Sequence, residues 1–243
     1  MDEIAQPAER SDAAKMNPAA ERTNVAEISI INTEDGSSTL ISSNFEGQTY
    51  HSDRGAISES KHVYTRFLKE GDRVLEIGFG TGLNTLLSLE TGYNLDYTSL
   101  EFYPITMDVV RKLSFYNESL EKLHRVSWEV WHNITDNFRF RKCQVDITKP
   151  NSIPVCNILS VEPQLGAKYD VVFFDAFSPS VVPEQWSAEI FKQILDLMNR
   201  GGILLTYSAK GDVKRALRSV GFEVKRLEGA LGKHNMLKAI VPF

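Results

Sequence analysis

Val74-Leu75-Glu76-Ile77-Gly78-Phe79-Gly80-Thr81-Gly82-Leu83-Asn84 decides how this chain folds. Residues 73–77 read as a short buried strand. Three glycines at alternate positions then form a turn, and residues 83–89 open a helix. Strand, glycine turn and helix together aim backbone N–H groups and a helix N-terminus at a ligand. Glycine is required where a side chain would block close approach or the needed backbone angles. A dinucleotide fingerprint, G-x-G-x-x-G, would need glycine at position 83, where the chain has Leu83. The third glycine is Gly82, and an acid, Glu76, sits near the strand's end.

Outward from this stretch, strand and helix alternate. Residues 95–101 read as the second strand, ending in Glu101. Glu101 lies 101 − 82 = 19 residues past Gly82, the distance at which an acid reaches both ribose hydroxyls of a bound nucleoside. Residues 138–145 read as the third strand, ending at Asp146. Tyr169 to Phe174 is a near-continuous apolar run, as a parallel strand buried on both faces should be, and it ends in Asp175. A helix is expected from Pro183 to Asn199, broken by Gly201-Gly202, then a strand over 203–207, a helix over 211–220, and strands over 222–227 and 236–241. Helices are also expected over 57–69, 105–115 and 119–131, the last carrying Trp128 and Trp131. The pattern predicts an α/β fold, a doubly wound and mostly parallel sheet. A small hairpin, 28–31 with 39–42 around Asp35-Gly36, precedes it. The expected organisation is a mobile tail over 1–27 and one domain over 28–243. The 148–167 stretch lacks periodicity and reads as a loop excursion. Glu59 is a site candidate because its helix directly precedes the glycine strand.

Composition narrows the class. The 243 residues are 42% hydrophobic and 24% charged, with a net charge of −5, ordinary for a soluble globular protein. No apolar run approaches the roughly 20 residues of a membrane span, and the N-terminus lacks the basic and apolar regions of a secretory signal. Cys143 and Cys156 give no metal spacing and no disulfide framework. Reduced thiols in a cytoplasmic protein are expected, and no metal site is.

The spacing E-x-G-x-G-x-G resembles motif I of S-adenosylmethionine (SAM) methyltransferases. That resemblance implies cofactor contacts from Glu76, at the methionine amino end, and from Gly78, Gly80, Gly82, Asn84, Glu101 and Phe102. It implies Asp146 at the adenine amino group. Further segments resemble the methyltransferase domain of the MnmC family, which forms 5-methylaminomethyluridine in tRNA. They are Leu100-Glu-Phe-Tyr-Pro104, Phe174-Asp-Ala-Phe-Ser-Pro179, Pro183-Glu-Gln-Trp186, Leu205-Thr-Tyr-Ser-Ala209 and Val213-Lys-Arg-Ala-Leu217. Tyr50-His-Ser, Gly55 and Glu59-Ser60 fit as well. The resemblance covers about residues 28–241. It implies methyl transfer to a primary amine on the wobble uridine, with Asp175 as the catalytic carboxylate. Phe177, Pro179, Tyr207, Ser208 and Lys233 would shape the substrate side.

Bifunctional members carry an FAD-dependent oxidase, which this chain lacks before its end at Phe243, so a stand-alone form with a separate upstream oxidase is expected. Lys233-His234-Asn235-Met236 stands where the family often has Lys-Arg-Glu-Met, a departure on the substrate side. From Arg200 onward there are nine Lys/Arg and three acids, a candidate phosphate-binding face for tRNA. Three other readings share the pattern. One is a methyltransferase acting on a small molecule or protein, since fold does not fix substrate. The others are an aminopropyltransferase of the spermidine synthase type, which Glu76 opposes if it holds the methionine end, and a non-catalytic RNA-binding module.

Overall fold

The structure, a computed structural model, describes residues 27–149, 168–230, 232 and 235–243. The expected tail over 1–27 apart from Glu27, nearly all of the 148–167 excursion, Cys156 and Lys233 lie outside these residues. Eight strands form one sheet in the order β5-β6-β4-β3-β7-β8-β10-β9. They are β3 (Arg73–Ile77), β4 (Leu95–Glu101), β5 (His132–Thr135), β6 (Phe138–Gln144), β7 (Tyr169–Phe174), β8 (Met198–Thr206), β9 (Glu223–Leu227) and β10 (Met236–Ile240). The five central strands, β6 to β8 through β3, run parallel. The pairs β5–β6, β8–β10 and β10–β9 are antiparallel. β3 has β4 on one side and β7 on the other. This is where strand order reverses and a crevice opens beyond the strands' carboxyl ends.

Alternate residues of the central strands feed two cores, one on each face of the sheet. Leu75, Ile77, Val172, Phe174 and Leu204 enter one. Val74, Tyr97, Phe140, Val171, Phe173 and Leu205 enter the other. β7 is apolar on both faces because both are covered, as its sequence predicted.

A separate hairpin, β1 (Ile28–Asn32) with β2 (Ser38–Ser42), turns at Gly36. Leu40 of β2 is fully buried. Ser38 and Ser114 exchange two hydrogen bonds of 2.8 Å that fasten the hairpin to the main body. Asp35 accepts from the N–H and hydroxyl of Ser58 at 2.9 and 2.7 Å, so the turn is tied to the first turn of α1 (Ala56–Val63). Residues 48–53 then leave the hairpin across the crevice, held by Tyr50 N–H to the Leu40 carbonyl at 2.9 Å and His51 N–H to Thr39 Oγ1 at 2.9 Å.

Several elements differ from their expected bounds. α1 stops at Val63 and continues as a 3-10 turn over Thr65–Phe67. The helix expected over 105–115 contracts to α3 (Met107–Val110). α2 (Leu83–Leu89) follows the glycine turn as expected. α4 (Glu118–Arg125) ends well before Trp131. Trp128 and Trp131 sit outside it, with Lys142 Nζ 4.6 Å from the Trp128 ring and the Arg139 and Arg141 guanidiniums 4.6 and 4.7 Å from that of Trp131. The 183–199 helix is split. A 3-10 turn covers Pro183–Trp186, and the Ser187 hydroxyl caps α5 (Ala188–Asp196) by accepting from Ile190 N–H. Gly201-Gly202 lies inside β8 rather than before it. Gly201, at φ 74°, absorbs a register shift between Tyr169 and Val171, so one strand spans what looked like a break. α6 (Gly211–Ser219) closes the layer beside β9.

Candidate functional site

A cavity of about 240 Å³ opens at the carboxyl ends of β3, β4 and β7. The glycine turn forms its floor. Gly78 has φ 93°, and a Cβ there would lie 2.6 Å from the Asp175 carbonyl oxygen. No L side chain fits, so backbone rather than side chain meets whatever enters.

The acids at the strand tips arrive by different routes. Glu101 ends β4 and is held by three backbone donors: Gly80 N–H at 2.8 Å, Phe102 N–H at 2.8 Å and Tyr103 N–H at 2.6 Å. Burial nevertheless raises its pKa, with those three bonds opposing the rise. Asp146 follows β6 and accepts from the Thr148 N–H and hydroxyl at 3.0 and 2.6 Å. Asp175 follows β7. Its Oδ1 accepts from the Tyr64 hydroxyl at 2.8 Å and its Oδ2 from Asn84 Nδ2 at 2.9 Å. Burial, with Asp175 next in effect, pushes the Tyr64 hydroxyl's pKa well up, so it remains a donor. Glu59 of α1 lines the cavity too and accepts from Ser52 N–H at 2.8 Å.

Aromatic rings make the walls. Phe177 stacks on Phe45 at 3.7 Å and meets Tyr50 edge-on at 5.1 Å. Phe102, 39% exposed, stands at the rim against Tyr103. The Tyr207 hydroxyl donates to the Ala176 carbonyl at 3.0 Å, and Trp186 Nε1–H to the Phe177 carbonyl at 2.8 Å. These two bonds fix the loop that carries Asp175. Two neutral histidines brace the glycine turn at Thr81. His51 Nε2 lies 2.7 Å from Thr81 Oγ1, and His124 Nε2–H donates to the Thr81 carbonyl at 3.0 Å. Burial lowers both pKa values to about 4.

The cavity therefore gathers Glu59, Gly78, Gly80, Asn84, Glu101, Phe102, Asp146, Asp175, Phe177 and Tyr207 from the sequence expectations. Four others are not in its lining. Gly82 turns away, where its Cβ position meets His124, Phe79 and Leu120. Pro179 lies beyond Ser178, and Ser208 is buried behind Tyr207 in sequence. Glu76 differs most from its expected place. Its side chain is fully buried beneath the floor, where Oε2 accepts from the Ser99 hydroxyl at 2.6 Å and the Thr85 hydroxyl at 2.8 Å. On a strand, Glu76 faces the same way as Val74 and under α2, not along the strand axis into the crevice. Sequence reasoning missed Gln48, Thr49, Tyr50, His51, Ser52 and Asp53 as lining. The signal was the polar and aromatic run itself, in a segment too short of apolar residues to be core.

The profile of the S-adenosyl-L-methionine-dependent methyltransferase family matches residues 118–242. The chain belongs to this family. The methyltransferase is 30% identical over 225 residues to the tRNA 5-methylaminomethyl-2-thiouridine biosynthesis bifunctional protein MnmC of Burkholderia thailandensis, covering 84% of this chain and 33% of that protein. The same-named protein of Pseudomonas fluorescens is 31% identical over 211 residues, 78% of this chain and 31% of that one. The methyltransferase thus spans about a third of the length of these curated relatives. Among solved structures it resembles MnmC2 from Aquifex aeolicus, with a TM-score of 0.69 and 26% identity over 90% of this chain and 73% of that one. Spermidine synthase from Thermotoga maritima, at 14% identity, TM-score 0.55 and coverage of 90% and 69%, shares the fold alone.

The cofactor of this family carries a sulfonium and an amino group, both cationic, and a nucleoside. The site suits it. Glu59, Glu101, Asp146 and Asp175 bring four carboxyl groups to one cavity whose floor lacks side chains.

Proposed function

We propose that the methyltransferase transfers the SAM methyl group to the aminomethyl nitrogen of 5-aminomethyluridine, or its 2-thio form, at the tRNA wobble position. The observation that carries the reading is Asp175. Tyr64 and Asn84 hold its two oxygens, and it faces the cavity beside the glycine floor. The names of the relatives support the tRNA substrate. In this reading Gly78 and Gly80 receive the cofactor, Glu101 binds its ribose hydroxyls and Asp146 its adenine amino group. Phe102 covers the base. Glu59 and Asn84 lie toward the methionine end.

When bound, SAM supplies an electrophilic methyl group. The residues of this chain do the rest. A free alkylamine is mostly protonated at neutral pH, as a lysine-like pKa of roughly 10.4 implies. The amine must lose a proton for its lone pair to form the new C–N bond. Asp175 accepts that proton or orients the lone pair, since a carboxylate is an acceptor that can take up a proton. Phe177, stacked on Phe45, walls the amine from water, and Tyr207 completes that side. The fixed loop supplies positioning.

The tRNA requires a cationic surface, and like charges crowd along the last segment. Lys214 has its pKa lowered, first by Arg218 and with a contribution from Arg226. Lys238 has its pKa lowered by partial burial and by Lys69 and Lys225. Changing Lys214, Arg215 and Arg218 together to Glu is expected to weaken tRNA binding and leave SAM binding intact. The slope of log affinity against log salt should shrink by about 2 to 3. Unchanged tRNA affinity in a filter-binding titration would reduce this face to a solvated surface.

An upstream FAD-dependent oxidase is the expected source of the free amine. A tRNA substrate implies work in the cytoplasm, and among the described residues no helix is long and apolar enough to cross a membrane. Mass spectrometry of tRNA nucleosides from cells with and without the gene tests the reading. Loss of 5-methylaminomethyl nucleosides with accumulation of the aminomethyl form supports it. An unchanged nucleoside profile contradicts it.

A further inference from the structure

Glu76 is fully buried, yet the mechanism above leaves it without a task. Around it stand Ser99 and Tyr97 of β4, Thr85 and Asn84 of α2, and Asp175 beyond β7. It makes no ion pair among the described residues. Of these neighbours Asp175 is the charged one, and its charge is of the same sign. Its Oε2 has two hydroxyl donors. Its Oε1 is buried with no partner, and so is the Oδ1 of Asn84, whose side chain lies within hydrogen-bonding reach of the Glu76 carboxyl. Two buried acceptors that lack donors, on side chains within reach of each other, are costly unless a proton lies between them. The Tyr97 hydroxyl is buried within reach of Glu76, but its one hydrogen can satisfy only one of the two oxygens. Turning the Asn84 amide over would aim its oxygen at the Asp175 carboxylate and lose the 2.9 Å bond.

We propose that Glu76 is a neutral carboxylic acid in the folded protein, its Oε1–H donating to Asn84 Oδ1, so that the Asn84 amide is set to donate to Asp175. Glu76 is then a positioning residue that acts through Asn84, and not the ligand of the cofactor's amino group that its place in the glycine motif suggests. The claim about Asp175 rests on the reading in the preceding section; the claim about the proton does not. Burial raises the Glu76 pKa to about 8, with Asp175 adding to the rise and the Ser99 and Thr85 hydroxyl bonds opposing it.

Glu76→Gln tests this, because glutamine mimics the protonated acid: its oxygen can accept from Ser99 and Thr85 while its amide donates to Asn84. The infrared difference between wild type and Glu76→Gln at pH 7 should show the carbonyl band of a protonated carboxyl in the wild type. Unfolding supplies a second readout. A carboxyl whose pKa rises from 4.5 unfolded to about 8 folded binds more protons when folded between those values. Wild-type stability therefore falls as pH rises through that window and is level above it. The Tm advantage of Glu76→Gln should grow from about pH 4.5 to about pH 8 and then stay constant.

SAM affinity of Glu76→Gln should stay within about threefold of wild type, well under the tenfold that 1.4 kcal/mol represents. Glu76→Leu should slow transfer by about tenfold, the scale of one lost hydrogen bond, and Glu76→Gln should recover most of that loss. No protonated-carboxyl band, together with a tenfold or greater loss of SAM affinity in Glu76→Gln, would overturn the proposal and restore Glu76 as an ionised cofactor ligand. The band and the pH-dependent Tm need no methyl acceptor, so they separate this inference from the fate of the tRNA reading.

Discussion

Replacing Asp175 by Asn is expected to slow methyl transfer by about 10² or more, the usual scale of acid–base catalysis, while SAM affinity changes little. Asparagine nearly preserves size, so β7 and the loop pinned by Tyr207 and Trp186 should hold their places. What changes is the acceptor set. Both carboxylate oxygens now receive a donor, from Tyr64 and from Asn84. An amide has one oxygen for two donors and cannot take up a proton as a carboxylate does. The loss should shrink at high pH, where more of the amine is already neutral. Single-turnover rates across pH measure this directly. A near-normal rate at neutral pH refutes the role, and a variant that loses SAM instead would move Asp175 into the cofactor site.

The second large effect is expected at Gly80. Its φ is 51°, in the left-handed region, and a Cβ there would lie 3.2 Å from the Tyr50 ring. Its N–H donates to Glu101 at 2.8 Å. A left-handed conformation costs an L residue about 1–2 kcal/mol, and a β-branched side chain is the worst tolerated. Valine must therefore either displace Tyr50 or rearrange the turn, which releases Glu101 and fills the floor. Gly80→Val is expected to lower SAM affinity about 100-fold or more, near 3 kcal/mol, with the fold retained by circular dichroism. Wild-type affinity by calorimetry would remove the glycine turn from the cofactor site.

Much of this site was legible in the sequence because parallel strands leave a plain trace. Each of β3, β4 and β7 is a short strand-like stretch closed by glycine or an acid, and the fold carries such tips to one crevice. Glu101 and Asp175 were placed at the crevice that way, and both line the cavity. Glu76 was expected in the cavity lining and lies beneath it for the complementary reason. Its residue type and spacing match a ligand, but whether a strand residue near the tip points into the crevice or under the next helix depends on the pleat and on α2 above it. The 48–53 segment was underweighted because its place follows from how the hairpin docks, through Leu40 and Thr39, and not from its own pattern. Trp128 and Trp131 looked helical by spacing alone. The four-residue, bulged edge strand that starts at His132 is too short to leave a period. The Ser187 cap that splits the 183–199 helix was visible, as a serine at the start of an apolar-periodic run, and marks where an N-cap reading improves on periodicity.

The most direct test of the central claim uses purified protein, methyl-labelled SAM and two forms of one tRNA. One form bears 5-aminomethyluridine at the wobble position and the other bears unmodified uridine. The account predicts label in the first alone, recovered after digestion as 5-methylaminomethyluridine. Equal labelling of both tRNAs, or none in the first despite measurable SAM binding, would contradict it.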